Sequence, residues 1–176
     1  MENDGSIDFA ALSLCDALDL AVLVEEEARE RYEDLARLMD REETRDVASF
    51  FHTMIQIEAT HEHRLGLRRR KLFPAEPARV RREHVFGGEA AVLERAHAGI
   101  TARQALQLAL EAERRALSFF EEAMAFAIDP EILAIFRELR GDEVLHQRLV
   151  LEQLAKYPEE RHVEVVAHAT SPSTKP

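Results

Sequence analysis

The sequence predicts an all-α protein, a four-helix bundle of two antiparallel hairpins with one long crossover. Three observations predict it. Gly and Pro are scarce, six of each in 176 residues. Gly66 aside, none interrupts the stretch from Ser6 to Phe73, and they then cluster from Pro74 to Gly99 and return at Pro130, Gly141, Pro158, Pro172 and Pro176. The long stretches between carry apolar residues at helical spacing. The two halves of the chain also repeat each other in register.

The first helix starts at Ser13, whose hydroxyl is free to cap a backbone N–H. Its apolar stripe includes Leu14, Ala17, Leu18, Ala21, Leu35 and Leu38. The second starts near Thr44 as N-cap and reaches about Leu72, carrying Val47, Phe50, Phe51, Met54, Ile55 and Leu65. Arg68, Arg69, Arg70 and Lys71 fill its last turn, where cations complement the helix dipole. The third starts at Thr101 and ends near Ile128. The fourth is marked by Asp129-Pro130, an N-cap followed by proline at the first helical position, and ends before Pro158. Each helix is expected to span about 27 residues, roughly 40 Å.

Short loops join the first helix to the second and the third to the fourth, which makes each of these pairs an antiparallel hairpin. Residues 73–100 form the crossover, with Pro74, Pro77, Gly87, Gly88 and Gly99 breaking it and a short helix expected over Glu89–Ala98. That length of chain covers a 40 Å bundle and lets the second and third helices run parallel. The domain is expected to occupy residues 1–162, with 163–176 a flexible tail.

Composition narrows the function. There are 34 acidic residues against 23 Lys plus Arg, a net charge of −11, which argues against a general nucleic-acid binder. The single cysteine, Cys15, excludes an intramolecular disulfide and a Cys-rich metal module. No apolar run approaches the ~20 residues that span a bilayer, and Met1-Glu-Asn-Asp-Gly lacks a cationic leader start. A cytoplasmic protein with neither nucleic-acid nor membrane partners is the expectation.

The repeat carries the chemistry. Ser13 aligned with Thr101 places SLCDALDLAVLVE on TARQALQLALEAE, with Ala17/Ala105, Leu18/Leu106, Leu20/Leu108, Ala21/Ala109 and Glu25/Glu113 identical. Seven residues beyond each glutamate stands an aromatic, Tyr32 or Phe120. In the second helices, Thr44 and Asp129 each precede a glutamate by 14 residues, Glu58 and Glu143. Phe51 and Phe136 stand seven before those glutamates, and His61 and His146 three after. Residues i and i+3 share a helix face, and the phenylalanines mark that face as inward. Glu25 and Glu113 lie four residues beyond Ala21 and Ala109, on the inward stripe. Four carboxylates and two imidazoles are therefore expected to converge in one interior. Burying them unpaired is heavily penalised. Two dications neutralise four carboxylates, and two neutral imidazoles complete the set.

The sequence contains four Glu-x-x-His motifs. Glu94/His97 lies in the crossover and Glu159/His162 beyond Pro158, and neither is duplicated by the repeat. Glu58/His61 and Glu143/His146 differ because each is matched to an inward glutamate upstream. Glu26, Glu27, Glu30 and Glu33 read as a solvated face, Glu111 and His63 as outward, and Cys15 as a small packing residue.

This constellation resembles the ferritin-like diiron carboxylate superfamily, with one Glu from each of two helices and a Glu-x-x-His from each of the others. The segment EEEARERY is similar to the first helix of rubrerythrins and bacterioferritins. The resemblance implies Glu25 and Glu113 as terminal ligands and Glu58 and Glu143 as bridging carboxylates. It gives His61 and His146 one nitrogen to each of two iron ions, with manganese or a mixed pair as variants. It also implies Asp142 as a hydrogen-bond partner orienting His61, and Tyr32 as a donor to a ligand carboxylate. Phe120 offers no hydroxyl, so the two metals should be inequivalent. Ala116 stands where typical rubrerythrins carry an extra glutamate, and one cysteine builds no rubredoxin module.

The function this implies is a rubrerythrin-like diiron peroxidase or ferroxidase. It would act on hydrogen peroxide or dioxygen and Fe(II), draw on an external electron donor, and pair as a homodimer. Iron storage or delivery, a diiron hydroxylase and a metal-free helical interaction module are the alternatives.

Overall fold

The computed structural model describes residues 7–82 and 99–158. They form α1 (Leu14–Leu38), a 3-10 turn (Glu42–Thr44), α2 (Arg45–Leu72), α3 (Ala102–Phe126) and α4 (Pro130–Leu154). The expected helix over Glu89–Ala98, the 163–176 tail and the motifs Glu94/His97 and Glu159/His162 lie outside the described residues. No described helix is long and apolar enough to cross a membrane.

Three helix starts follow the cap chemistry. Ser13 and Thr101 each form a capping box, with Asp16 and Gln104 at the third helical position. Asp129 accepts hydrogen bonds from the N–H groups of Glu131 and Ile132, with Pro130 at the first position. Thr44 behaves differently. Its hydroxyl donates to the Met39 carbonyl at 2.7 Å, and the 3-10 turn leads into α2 without a side-chain cap. Helix α3 stops at Phe126, short of Ile128, because Ala127 turns to extended backbone ahead of the Asp129 cap.

Contacts between helices fix the topology. Arg69 pairs with Asp19 and Arg29 with Glu62, so α1 and α2 are antiparallel. Arg140 pairs with Glu121, and the Gln147 amide donates to the Glu113 carbonyl, so α3 and α4 are antiparallel too. Tyr32 reaches Glu113 and Phe9 meets Phe119 edge to face, which sets α1 antiparallel to α3 and hence α2 parallel to α3. Parallel packing needs the chain to return along the bundle. Its start is visible: Val80 packs on the core and Arg82 reaches Glu30 of α1, while Arg41 binds the Ile100 carbonyl where the chain rejoins α3.

Two apolar clusters fill the interior. One gathers Leu18, Ala21, Val24, Leu65, Phe120, Phe136 and Leu139; the other gathers Tyr32, Leu35, Val47, Phe51, Met54, Leu106 and Val150. Each fully buried large side chain contributes about 1.5–3 kcal/mol. Between these clusters, at mid-height, the buried residues turn polar.

Candidate metal centre

Every helix sends one or two polar side chains into that middle layer. Glu25 comes from α1, Glu58 and His61 from α2, Glu113 from α3, and Glu143 and His146 from α4. All but His61 are at most 3% exposed. The His61 side chain is 15% exposed and that of His146 1%. The six groups predicted from the repeat are thus together in space.

Their arrangement has a centre. Glu58 Oε1 lies 3.2 Å from His146 Nδ1, and its Oε2 lies 3.7 Å from His61 Nδ1. Glu25 Oε2 is 3.5 Å from His61 Nδ1, and Glu113 Oε2 is 3.5 Å from His146 Nδ1. Glu143 Oε2 stands 3.8 Å from His146 Nδ1. The imidazoles stack with centroids 5.4 Å apart and planes 14° from parallel. Two sets of ligand atoms lie close enough to hold an ion: Glu58, His61 and His146, and Glu113, Glu143 and His146.

These groups are close but poorly satisfied. Glu25 Oε1, both oxygens of Glu58, His61 Nδ1 and both ring nitrogens of His146 are buried without a hydrogen-bond partner. Such atoms in native interiors call for a bound species, since an orphaned buried polar group costs about 1–3 kcal/mol and an ionised one more. Carboxylate oxygens with imidazole nitrogens are the donor set that suits Fe, Mn or Zn. The residues fit a metal centre.

The electrostatics agree. Burial, reinforced by neighbouring carboxylates, pushes Glu58 and Glu143 well above the ordinary carboxylate range despite the opposing pull of His146. Burial would push Glu113 up as well, but His146, Glu143 and the Tyr32 hydroxyl hold it below. For His146, burial favours the neutral ring, yet the surrounding glutamates outweigh it and push the imidazole up to about 11.

The surrounding residues are less uniform. Tyr32 donates its hydroxyl to Glu113 Oε1 at 2.5 Å, across from α1 to α3, as a donor to this carboxylate should. Asp142 departs from the role the resemblance implies. Its carboxylate accepts from Arg64 at 3.3 Å, and no hydrogen bond joins it to His61 among the described residues. Arg64 also pairs with Glu138, so α2 draws Asp142 outward. On α1, Glu26, Glu27, Glu30 and Glu33 are half-buried rather than fully solvated, and the last three pair with Arg31, Arg82 and Arg29. Glu111 and His63 are exposed, and Cys15 is buried.

One pair escaped the sequence reading. Arg29 and Glu62 sit four residues beyond Glu25 and Glu58, and their 2.8 Å ion pair closes α1 against α2 beside His61. Gln147 occupies the position equivalent to Glu62 in the repeat. The i+4 spacing from each ligand was the available signal.

The family model described as rubrerythrin matches residues 16–155. The chain belongs to the rubrerythrin family. No curated protein matches it. Among solved structures, it resembles an uncharacterised conserved protein from Magnetospirillum magnetotacticum, with TM-score 0.70 and 26% identity, covering 85% of this chain and 98% of that one. A hypothetical protein from Pyrococcus furiosus, at TM-score 0.56 and 20% identity over 85% and 94% of the two chains, shares the fold. The rubrerythrin-family bundle and its carboxylate–imidazole cluster support a ferritin-like metal protein.

Proposed function

We propose that this rubrerythrin-family chain holds two iron ions and uses them to reduce hydrogen peroxide, to oxidise Fe(II), or both. The observation that carries the reading is Glu58: a buried carboxylate that turns one oxygen to each histidine and has no hydrogen-bond partner among the described residues. A bound pair of ferrous ions would supply two electrons, the number that takes hydrogen peroxide to water.

The chain's residues would do the rest. Glu25 and His61 would hold one ion, Glu113 and His146 the other, with Glu58 and Glu143 between them. Tyr32 fixes the orientation of Glu113 through its hydroxyl. The apolar clusters above and below keep water from the layer, which strengthens every charge interaction inside it. His61, with its partial exposure, marks the side on which a small oxidant would enter. We place this activity in the cytoplasm, in a homodimer served by an external reductant.

Metal analysis followed by stopped-flow oxidation of the ferrous protein tests the reading. Two irons per chain and fast oxidation by peroxide are expected. Slow oxidation, with iron loading far beyond two and a shell-sized particle on size exclusion, would make the chain a storage protein instead. Purified protein that neither carries nor takes up metal would overturn the centre itself.

A further inference from the structure

The last turn of α2 is the most basic part of an acidic molecule. Residues 64–82 hold eight Lys or Arg and one acid, Glu76, in a chain of net charge −11. Several of these cations have structural work: Arg64 pairs with Glu138 and Asp142, and Arg82 with Glu30. Arg69 binds both oxygens of Asp19 and the carbonyls of Phe73 and Glu76, tying α1 to the turn out of α2. Its neighbours Arg68, Arg70 and Lys71 have no carboxylate within ion-pair distance among the described residues. The helix dipole welcomes cations here, but it does not explain what lies beside them.

Exposed apolar side chains share this end of the bundle. The Arg64–Glu138 pair sets the register of α2 against α4. Eight residues onward from Arg64 is Leu72, and eight back from Glu138 is Pro130, so the α2 terminus and the α3–α4 turn reach the same level. Leu72 is 47% exposed, and on that turn Phe126 is 58% and Ile128 76% exposed.

We propose that this end docks on an anionic phospholipid surface, with Arg68, Arg70 and Lys71 facing lipid phosphates and Leu72, Phe126 and Ile128 entering the interfacial layer. Charge complementarity selects the partner, since juxtamembrane-type basic clusters are attracted to anionic leaflets. The projecting side chains of a bundle end suit a fluid surface, which adapts to them, better than a protein partner that must match their contour. The acidic remainder of the molecule is repelled by the same surface, so docking is end-on. It departs from the sequence expectation of no membrane partner, as contact with a membrane surface and not as a span.

Vesicle co-sedimentation of the full metal-loaded chain tests it. Vesicles of phosphatidylcholine and phosphatidylglycerol in equal parts should carry the protein down at low salt, and vesicles of phosphatidylcholine alone should not. The triple variant Arg68→Gln, Arg70→Gln, Lys71→Gln should bind about a hundredfold more weakly, at about fivefold per charge. The double variant Phe126→Ser, Ile128→Ser alters only exposed positions, the last residue of α3 and the turn after it, and should also weaken binding, with circular dichroism and metal content unchanged. Absence of sedimentation, equal binding to both vesicles, or full binding by both variants overturns the proposal. Binding to immobilised polyglutamate but not to vesicles also overturns it and makes the partner an acidic polypeptide.

Discussion

Glu113 and Glu25 occupy equivalent positions in the repeat, and their surroundings differ. Glu113 accepts the Tyr32 hydroxyl at 2.5 Å, and the adjoining His146 is sealed from solvent. Glu25 keeps Oε1 without a partner, because the residue equivalent to Tyr32 is Phe120, packed among Ala21 and Val24. Its neighbour His61 is partly exposed. The repeat therefore sets which groups point inward, while the lining positions decide how each is held. One half of the centre is closed and pre-oriented, and the other is open and under-bonded.

The largest effect should come from the residue both halves share. Glu58→Ala removes the carboxylate facing both histidines, so metal content per chain should fall to near zero and peroxide-driven oxidation with it. His61→Ala touches the open half alone and should leave about one metal per chain, while Glu94→Ala should leave both. Equal metal loss in the Glu58 and His61 variants would mean the halves do not bind separately.

Acidity offers a second way to sharpen the contrast between filled and empty centres. Glu58 and Glu143 lie well above the ordinary 4.5, and His146 is pushed from 6.5 up to about 11. A group whose pKa is raised by folding stabilises the fold while protonated. For the glutamates that contribution fades as pH rises above 4.5, and for His146 it fades between 6.5 and about 11. Glu113, lowered from 4.5, acts in the opposite sense, losing its contribution as pH falls. The metal-free protein should therefore melt lower as pH climbs from about 5 to about 8. Metal requires the deprotonated ligands, so its stabilisation grows over the same range, and at a hundredfold excess over Kd it reaches about 2.7 kcal/mol. Melting curves in chelator and in Mn(II), a probe without redox complication, should diverge with pH. Parallel curves would dissociate these groups from metal binding.

Exchanging the two aromatics tests the asymmetry directly. Tyr32→Phe deletes a hydrogen bond to a buried carboxylate, a loss of about 1.5–3 kcal/mol by urea denaturation of the metal-free protein. Phe120→Tyr brings a hydroxyl into the layer beside Glu25. The combined variant should then recover part of the loss and equalise metal affinity between the halves. If Tyr32→Phe alone leaves stability and both affinities unchanged, the hydroxyl is not what distinguishes them.

Much of this was legible in the sequence. Helix periodicity and cap residues placed four helices, because both act within one turn of the chain. The repeat placed the six inward groups, because a duplicated register preserves helix faces. Thr44 misled, since a threonine before a helix has two local carbonyl and N–H choices and here the Met39 carbonyl wins. Asp142 misled for a different reason. Its partner Arg64 lies 78 residues away on another helix, and no local pattern reports which of two nearby groups it will face. Arg29 and Glu62 were likewise hidden, each looking like one more charge on a solvated face.

That last pair yields the smallest and most local prediction. Arg29 joins Glu62 at 2.8 Å and Glu33 at 2.6 Å, so its guanidinium is shared between α2 and its own helix. Glu62→Gln keeps the size of the side chain and removes its charge, at a cost of about 0.5–1 kcal/mol for a partly exposed pair. In the other half, Gln147 has no cation to hold and donates to the Glu113 carbonyl instead. Gln147→Ala should therefore cost a similar amount, but without salt dependence. The decisive readout is that difference: the penalty for Glu62→Gln should shrink at high salt, as screening weakens the pair it removes, while the Gln147→Ala penalty stays constant. Equal salt behaviour would mean that Arg29 acts by packing its stem beside His61, and that the open half is bounded by shape and not by charge.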